Sequence, residues 1–461
     1  MTTTDFKGKK VTVMGLGLHG GGLGVARWLV SQGARVLITD LKTEKQLKKS
    51  IENLKNFKIK YVLGRHREKD FKDADLIIQN PGVPRESKFI KIAEKNEVPI
   101  ATDISIFFNY CPAPIIGITG TKGKTTITTL LGKIFKKKNA KTVVAGNIRK
   151  SPLDFLEKIS KNTPVILELS SWQLEGLARI KKSPHIGLIT NIFVDHLNRY
   201  DDLEDYKKAK KLIYTFQTPD DIIILNRDNL HTKRMGKEVF AKRFWFSRKY
   251  FLWENGVFIK GGWVMFRKDG KIKKILKVKD IQLPGDHNLE NVLAAITVAT
   301  VSKIPLDIIR EVVKKFKGVE NRMEFVRSIG GVKYFNDTTA TAPEATINSL
   351  KTLGKGKNII LISGGADKEL YFKDMAKQIK KHCKSVILLP GTATPKIKKL
   401  LISHSSLYTV QNMSDAVARA SKIAEKGDII LLSPGCASFG IFVNEFDRGD
   451  QFVREVRAIG N

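Results

Sequence analysis

Short apolar runs that end in glycine, aspartate, asparagine or serine recur along the whole chain, with helical patterns between them. They are VTVMGL (11–16), ARVLITD (34–40), ADLIIQNPG (74–82), APIIGITG (113–120), TVVAGN (142–147), TPVILELSS (163–171), IGLITN (186–191), DIIILN (221–226), GVKYFND (331–337), NIILISGG (358–365), SVILLPG (385–391) and DIILLSPG (428–435). Strands that alternate with helices form parallel sheets. The sequence therefore predicts an α/β fold whose ligands lie at the carboxyl ends of the strands.

The spacing of these runs divides the 461 residues into three blocks. Domains hold about 150 residues on average, which also favours three. The proline-rich CPAP at 111–114 is a plausible linker, and the third block begins near Gly318. We predict a Rossmann-like N-terminal domain over 1–108, a central ATPase domain of the P-loop type over 109–318, and a Rossmann-like C-terminal domain over 319–461.

We expect neither a membrane-spanning nor a secreted protein. No run approaches the roughly 20 apolar residues of a membrane helix, and the N-terminus enters a strand without an export signal. The cysteines Cys111, Cys383 and Cys436 are far apart and odd in number, so they form neither a disulfide framework nor a metal cluster. We expect a cytoplasmic protein that does not insert into membranes.

The net charge of +35 raises the question of nucleic-acid binding. Basic runs at 136–141, 207–211 and 314–317 are scattered, and none is interleaved with aromatic residues as in a stacking platform. We expect lysine-rich solvent faces and no nucleic-acid partner. Anionic small substrates would be attracted by the same field.

The first glycine cluster is GLGLHGGGLG at 15–24. Gly15, Gly17 and Gly20 form G-x-G-x-x-G after a strand, and Asp40 ends the next strand. This context is typical of a nucleotide site, with phosphates at a helix N-terminus and the acid on a ribose. A tight turn with only a structural role is the alternative. The motif does not identify the nucleotide, because dehydrogenases bind theirs with the same glycine pattern.

The second cluster, TGTKGKTT at 119–126, differs from the common phosphate loop G-x-x-x-x-G-K-[ST], because Ile118 stands where the first glycine is expected. Its two glycines still let backbone N–H groups approach an oxyanion. Lys124 would reach the β- and γ-phosphates, and the Thr125 hydroxyl would bind Mg²⁺. The helical pattern that follows adds a favourable dipole. A glycine turn with exposed lysines is the alternative.

Two further strand ends carry polar residues suited to such a loop. Glu168 in LELSSWQLE (167–175) ends an apolar strand, where a buried carboxylate is costly unless it is paired or binds a cation. His196 in TNIFVDHLNRY (190–200) follows another strand. The alternatives are an ordinary strand-end acid and a packing histidine.

Together these segments resemble the Mur ligase superfamily, the ATP-dependent amide-forming enzymes of peptidoglycan synthesis. The likeness covers essentially the whole chain in order. It rests on TGTKGKTT, ELSSWQLE, the N-x-x-x-D-H segment at 191–196, PGDHNLENVLAA (284–295), NRMEFV (321–326), FNDTTATAP (335–343), ISGGADK (362–368) and LSPGCASFG (432–440). The chain is most similar to the members that add D-glutamate to UDP-N-acetylmuramoyl-L-alanine.

The resemblance implies the cofactors ATP and Mg²⁺, with two ions expected, and a monomer. It implies a catalytic set of Lys124, Glu168, His196 and Lys210, of which Lys210 would be carbamylated; the neighbouring Lys211 stays open as the alternative. The implied metal ligands are Thr125, Glu168, His196 and Lys210.

The other implied contacts fall into three groups. ATP would be bound by Gly120, Thr121, Lys122, Gly123, Lys124, Thr125, Thr126, Asn288, Asn291, Arg322 and Asp337. The UDP-sugar would be bound by Gly17, Leu18, Asp40, Asn80, Gly82 and Asn147. The incoming amino acid would be bound by Lys368, Ser438 and Thr341.

The chain departs from the family pattern in places. Thr339 stands where a lysine is usual, Ala342 replaces a common asparagine, and Glu445 adds an acid near the amino-acid pocket. L-glutamate or another amino acid therefore stays open, as does folylpolyglutamate-like chemistry. A non-catalytic nucleotide-binding regulator is disfavoured because Lys124, Glu168 and His196 are all present, and a dehydrogenase would not explain the three together.

Overall fold

The computed structural model describes residues 6–16, 21–84, 86–148, 150–193, 199–283, 285–367, 370–404, 406–438 and 441–460. The chain divides into two compact units, Met1–Phe316 and Lys317–Asn461. The first unit contains two sheets and the second contains one.

The first sheet is parallel, in the order β3-β2-β1-β4-β5. Its strands are β1 (Lys10–Met14), β2 (Arg35–Asp40), β3 (Ile59–Leu63), β4 (Leu76–Gln79) and β5 (Ile100–Ala101). Its helices are α1 (Gly21–Ser31), α2 (Glu44–Glu52), α3 (Lys69–Lys72), α4 (Lys88–Lys95) and α5 (Asp103–Tyr110). Strand order reverses between β1 and β4, which opens a crevice at their carboxyl ends.

The second sheet has nine strands in the order β14-β13-β12-β11-β10-β9-β6-β8-β7. The strands are β6 (Ile115–Thr119), β7 (Val143–Gly146), β8 (Val165–Glu168), β9 (Ile186–Ile189), β10 (Ile222–Asn226), β11 (Lys242–Phe246), β12 (Gly256–Lys260), β13 (Trp263–Lys268) and β14 (Lys271–Lys277). The helices are α6 (Lys124–Lys138), α7 (Ser171–Ala178), α8 (Leu203–Lys211), α9 (Leu230–Met235), α10 (Asp286–Val301) and α11 (Leu306–Lys315), with 3₁₀ helices at Pro152–Lys158 and Val278–Asp280.

The antiparallel extension β12-β13-β14 is a feature that we did not predict from the sequence. Its turns are Gly261–Gly262 and Asp269–Gly270, dipeptides that accept the positive φ angles of tight hairpins. The edge strand β14 exposes its lysines, which discourages pairing with another chain.

A continuous apolar core runs through the first unit. It includes Val13 of β1, Phe107 of α5, Leu167 of β8 and Leu174 of α7, all fully buried. Parallel strands are covered on both faces, so their runs are apolar without alternation. This shared core holds the carboxyl ends of both sheets in fixed relation within the unit.

The second unit has one six-stranded sheet in the order β15-β16-β20-β17-β18-β19, in which only β15 is antiparallel. The strands are β15 (Glu324–Ile329), β16 (Val332–Asn336), β17 (Ile359–Ser363), β18 (Cys383–Leu388), β19 (Leu407–Thr409) and β20 (Ile429–Leu432). The helices are α12 (Pro343–Leu353), α13 (Lys373–His382), α14 (Thr394–Leu400), α15 (Met413–Ile423) and α16 (Glu445–Ala458). A buried cluster covers each face of the sheet.

The predicted α/β architecture of three domains is confirmed, with one predominantly parallel sheet in each. The two units do not test the boundaries at 108 and 318. Strands β3, β5, β11, β15 and β19 were also missed: β15 alternates in burial only weakly, and β5 and β19 have only two and three residues. In the described part of the chain, no helix is long and apolar enough to cross a membrane.

Candidate active site

The polar loops that follow four neighbouring parallel strands of the central sheet lie together at the carboxyl edge of that sheet. The strands β9, β6, β8 and β7 lie side by side, so their carboxyl ends meet. The phosphate-type loop follows β6, Glu168 ends β8, and Asn147 follows β7. The alignment of these ends explains how segments far apart in sequence form one site.

The loop after β6 needs both of its glycines. Gly120 has φ +138° and Gly123 has φ +88°, values that side chains rarely adopt. A Cβ at Gly120 would lie 1.9 Å from Thr190 Oγ1, and one at Gly123 would lie 2.1 Å from Asn291 Oδ1. The loop is thus packed tightly against β9 and α10.

Hydrogen bonds fix the same loop to the end of β9. The Lys122 N–H donates to Asn191 Oδ1 at 2.9 Å, and the Thr121 N–H donates to the Asn191 carbonyl at 2.9 Å. Thr190 Oγ1 donates to the Lys122 carbonyl at 2.6 Å. Asn191 begins the N-x-x-x-D-H segment, so one of its functions is to hold the loop in shape.

Lys124 is the first residue of α6 and lies beside the loop. Its Nζ donates to the carbonyls of Gly120 at 2.8 Å and Thr121 at 3.0 Å. Thr125 and Thr126 follow in the first turn, where unpaired backbone N–H groups and the helix dipole favour anions. The arrangement suits binding of a polyphosphate.

Glu168 is a buried carboxylate with one unsatisfied oxygen. The side chain is 2% exposed, and Oε1 accepts a hydrogen bond from Asn147 Nδ2 at 3.1 Å. Among the described residues, Oε2 has no hydrogen-bond partner. A buried carboxylate oxygen without a partner is costly, and a hard cation such as Mg²⁺, which prefers oxygen ligands, would satisfy it.

Lys210 enters the site from the last turn of α8. It is 2% exposed, and its Nζ donates to Thr119 Oγ1 at 2.9 Å while lying 5.3 Å from the centre of the Tyr206 ring. Lys211 instead forms an ion pair with Glu238 at 2.5 Å. Of the two lysines, the structure brings only Lys210 to the cleft.

The N-terminal sheet supplies the other wall of the cleft. Asp40 accepts hydrogen bonds from the backbone N–H groups of Leu16 and Lys42, both at 2.9 Å. Asn80 donates to the Gly15 carbonyl at 3.1 Å and accepts from the Gly82 N–H at 3.1 Å. Both side chains therefore hold the turns that follow β1, β2 and β4.

Several of these groups line a cleft of about 410 Å³. Its lining includes Asn80, Lys124, Asn147 and Lys210. Asn291 packs on the loop at Gly123 and donates to Asn288 Oδ1 at 3.4 Å. The cleft thus joins a phosphate-binding loop on one wall to the nucleotide-type crevice of the first sheet on the other.

Comparison with known proteins identifies the family. Three family models match in order: "Mur ligase MurD-like, N-terminal domain" over 9–102, "Mur ligase middle domain" over 118–299 and "Mur ligase, glutamate ligase domain" over 321–436. A UDP-N-acetylmuramoylalanine–D-glutamate ligase of Roseiflexus sp. (strain RS-1) is 44% identical over 464 residues, 98% of this chain and 99% of the relative. The chain belongs to the Mur ligase family, in its MurD branch.

A second relative carries the same name, and two solved structures have a similar fold. A UDP-N-acetylmuramoylalanine–D-glutamate ligase of Caldanaerobacter subterraneus subsp. tengcongensis is 39% identical, covering 98% of this chain and 99% of the relative. Among solved structures, the UDP-N-acetylmuramate-alanine ligase MurC of Thermotoga maritima has a TM-score of 0.59 at 21% identity, covering 97% of this chain and 99% of that one. A pseudomurein peptide ligase of Methanothermus fervidus has a TM-score of 0.54 at 20% identity, covering 97% and 100%. These structures support the Mur ligase fold.

The second unit of this Mur ligase carries the remaining described candidates. Asp337 is 4% exposed and accepts hydrogen bonds from Ser349 Oγ at 2.5 Å, Ser433 Oγ at 2.8 Å and the Met323 N–H at 3.1 Å. Burial raises the pKa of Asp337 to about 6, although the two hydroxyls and the Met323 N–H oppose the shift. Through these hydrogen bonds Asp337 links Met323, Ser349 and Ser433 within the second unit.

The other candidates of that unit surround the same sheet edge. Arg322 precedes β15, Thr341 lies in the loop before α12, and Ser438 is 3% exposed after β20. Thr339, at the position where the family commonly has lysine, donates to the Asn321 carbonyl at 2.8 Å. Gly17, Leu18, His196 and Lys368 lie outside the described residues.

Three residues near these sites were missed by sequence reasoning. Asp103 looks like an ordinary helix-start acid after the cap Thr102. Arg199 follows the D-H motif without a pattern of its own. Arg448 is fully buried in α16 and donates to the Thr338 carbonyl at 2.8 Å, while burial lowers its pKa to about 10. Only burial and partners distinguish such residues, and neither is visible in sequence.

The described residues contain no group of three or more histidine, cysteine, aspartate or glutamate side chains arranged for a metal. Mg²⁺ commonly binds through one or two protein carboxylates together with phosphates and water. The single unsatisfied oxygen of Glu168 is therefore compatible with that mode of binding.

Proposed function

We propose that this Mur ligase uses ATP to join D-glutamate to UDP-N-acetylmuramoyl-L-alanine in peptidoglycan precursor synthesis. The observation that carries the proposal is the cleft in which Lys124 and Lys210 face Asn80 and Asn147. The phosphate-type loop and the N-terminal sheet line the same cleft, where ATP and the UDP-sugar would meet. The names of the MurD relatives supply the two substrates.

The proposed chemistry has two steps. A carboxylate oxygen of the alanine attacks the γ-phosphorus of ATP, the β–γ bond breaks, and ADP leaves, so that an acyl phosphate forms. The neutral glutamate amine then attacks the acyl carbon, the C–N bond forms, the C–O bond to phosphate breaks and phosphate leaves, and the nitrogen gives up one proton to solvent and keeps the other as the amide N–H. Negative charge on the transferred phosphoryl group is the largest target for catalysis.

Lys124 and the loop N–H groups would stabilise this negative charge. The loop residues Gly120, Thr121, Lys122, Gly123, Thr125 and Thr126 would cradle the phosphates. For Lys124 to bind them, its Nζ would exchange the carbonyls of Gly120 and Thr121 for phosphate oxygens. Asn288 and Asn291 would lie near the adenosine, and Arg322 and Asp337 would also contact ATP.

We propose two Mg²⁺ ions held by Thr125, Glu168, His196 and Lys210. When bound, the ions would neutralise charge on the phosphoryl group in transfer. Glu168 offers for this purpose a buried oxygen that has no partner among the described residues. His196 follows β9, whose carboxyl end adjoins the loop.

Lys210 would be carbamylated in this mechanism. Its neutral amine attacks carbon dioxide, an N–C bond forms and one proton leaves to solvent. The product is an anionic oxygen ligand in place of a cation that would repel Mg²⁺. Lys210 is 2% exposed and its Nζ lies beside Thr119 Oγ1, which supports its place in the cleft.

The remaining predicted residues would bind the UDP-sugar and the incoming amino acid. Gly17, Leu18, Asp40, Asn80, Gly82 and Asn147 would hold the UDP-sugar, and Lys368, Ser438 and Thr341 would hold the amino acid. We also propose domain boundaries near residues 108 and 318, a monomer, and a cytoplasmic location, where ATP and nucleotide sugars are supplied.

Phosphate release in the presence of ATP, Mg²⁺ and UDP-N-acetylmuramoyl-L-alanine tests the proposal against a panel of amino acids. We expect release with D-glutamate and only background with L-glutamate. Release with another amino acid but not with D-glutamate would reject the substrate while keeping the ligase. No release with any amino acid, from protein shown to be folded, would reject the ligase reaction.

A further inference from the structure

Asp103 is a buried acid in the wall of the active-site cleft. It is the first residue of α5 and is 5% exposed. A Cβ placed on Gly21, the first residue of α1, would lie 3.5 Å from Asp103 Oδ2. In the described part of the chain, Asp103 Oδ1 has no hydrogen-bond partner. A buried carboxyl with one oxygen that has no described partner thus lies beside the N-terminus of another helix.

That location suits an ionised acid only as long as no second anion binds at the same helix N-terminus. The N-terminus of α1 follows the glycine turn and lines the cleft through Gly21, so it is suited to a phosphate group. A diphosphate bound there would bring negative charge close to Asp103. Two anions that share a buried site cannot both stay ionised at low cost, so one of them takes up a proton.

The surroundings of Asp103 already favour its neutral form. Burial raises the pKa of the Asp103 carboxyl to about 6, while the backbone N–H groups of Ile104 and Asp103 itself act in the opposite direction. Helix α5 packs on α1, on α7 and on the 3₁₀ helix Pro152–Lys158. The charged groups on those elements decide whether any of them could hold Asp103 ionised.

Those charged groups have other partners or lie on the outer faces. Arg27 of α1 pairs with Asp154 of the 3₁₀ helix at 2.8 Å, and Glu175 of α7 pairs with Arg199 at 3.2 Å. The other charged residues of these elements are Glu157, which accepts from Gln32 at 3.4 Å, and the exposed Lys158. The lysines that line the cleft are Lys124, Lys150 and Lys210. None of the described cations pairs with Asp103.

We propose that Asp103 binds the UDP-sugar in its protonated form, donating its carboxyl O–H to a phosphate oxygen of the diphosphate. The inference rests on the proposed function, because it requires the UDP-sugar in this cleft. The proton comes from solvent when the substrate binds at a pH where free Asp103 is ionised. An asparagine would make a similar contact through its amide N–H without any proton uptake.

Proton uptake by Asp103 on binding determines how the affinity for the UDP-sugar depends on pH. The bound diphosphate raises the pKa of Asp103 above its value in the free protein, so binding takes up a proton once the pH exceeds about 6. The substrate affinity should be constant below that pH and should fall by up to about tenfold per pH unit above it. The diphosphate and the alanine carboxylate stay ionised throughout, so the substrate adds no titration.

Titration calorimetry without ATP tests the inference, with UDP-N-acetylmuramoyl-L-alanine as the probe between pH 5.5 and 8.5. Runs in buffers of different ionisation enthalpy count the protons taken up. For the wild type we expect weakening of about tenfold or more between pH 6 and 8 and uptake of a proton at pH 7. Asp103→Asn should bind with little pH dependence and no uptake. Asp103→Ala should bind about tenfold more weakly at pH 6.

His19→Asn, which replaces a histidine in the glycine cluster of the sequence, is the matched control. We expect it to keep the pH dependence and the proton uptake of the wild type. A wild type that binds the UDP-sugar without proton uptake would overturn the inference and leave the proposed function intact, as would Asp103→Asn with the wild-type slope. A wild type that does not bind the UDP-sugar at any pH would instead overturn the proposed function.

Discussion

Lys210 Nζ donates a hydrogen bond of 2.9 Å to Thr119 Oγ1, a residue 91 positions earlier in the chain. Thr119 Oγ1 in turn donates to the Leu169 carbonyl at 2.7 Å. Leu169 directly follows Glu168, so these bonds connect the lysine of α8 to the strands that carry the phosphate loop and the buried carboxylate. Because Lys210 is almost fully buried, this bond fixes where its Nζ lies.

Removal of the Lys210 side chain should abolish most of the ligase activity while removal of its neighbour should not. We expect Lys210→Ala to lower kcat by about 100-fold or more, since an anionic ligand of the site is lost. Lys211→Ala removes only a partly exposed ion pair with Glu238 and should stay near wild type. Carbon-13 NMR after incubation with labelled bicarbonate should show a carbamate signal in the wild type and in Lys211→Ala. A signal that disappears in Lys211→Ala instead would contradict the assignment.

Lys124 should be required for ATP turnover. Lys124→Ala removes the one side-chain cation that hydrogen bonds to the loop carbonyls in the described structure. We expect phosphate release to fall by about 10²–10³-fold, as when a charge-stabilising donor is removed from an active site. Lys133→Ala changes an exposed lysine on the same helix and serves as the control. Retained turnover in Lys124→Ala would mean that the loop does not bind the reacting phosphates.

Arg199 should act on binding of the UDP-sugar more than on the chemical step. It donates to the carbonyls of Pro81 at 3.0 Å and Val83 at 3.3 Å, and its guanidinium lies 4.5 Å from the centre of the Trp172 ring. These contacts hold the turn after β4 that carries Asn80. We expect Arg199→Ala to raise KM for the UDP-sugar by about tenfold, with KM for glutamate unchanged.

The control for that prediction is Arg179→Ala. Arg179 pairs with Glu94 at 3.0 Å, but both side chains are more than 40% exposed, so the loss should be small. Arg199→Lys keeps the charge without the planar fork and should fall between the wild type and the alanine variant. An equal loss of kcat with unchanged KM would argue against a positioning role.

Asp337 should make the stability of the second unit depend on pH. Its pKa in the folded state is raised from 3.8 to about 6, so the folded chain holds a proton that the unfolded chain has lost. This contribution to stability is complete below about pH 4 and is lost as the pH rises to about 6. The difference is roughly 3 kcal/mol at most. Hydrogen exchange of the β16 and β20 amides, corrected for intrinsic rates, measures it.

Asp337→Asn cannot ionise and should show a much smaller decrease in protection between pH 4 and 6. The tryptophans all lie before residue 317, so their fluorescence reports on the first unit and serves as an internal control. An identical pH slope in the variant and the wild type would show that another group is responsible.

Much of the fold is predictable because parallel strands buried on both faces require continuous apolar runs, and such runs are visible in the sequence. The hairpins β12–β14 were missed although Gly261–Gly262 and Asp269–Gly270 mark tight turns, because these strands follow one another without the helices that identify a parallel sheet in sequence. The phosphate-type loop was predictable because its glycines are a backbone requirement, and Gly120 and Gly123 indeed have positive φ.

The sequence by itself determined the α/β class, the order of the strand-end motifs and the family. Each of these depends on residue type and local spacing. Only the tertiary structure decided between Lys210 and Lys211, whose side chains point to Thr119 and to Glu238. It alone showed that Glu168 Oε2 and Asp103 Oδ1 are buried without described partners. The physical reason is that burial and hydrogen bonding arise where distant segments pack, and a linear pattern does not record which segments meet.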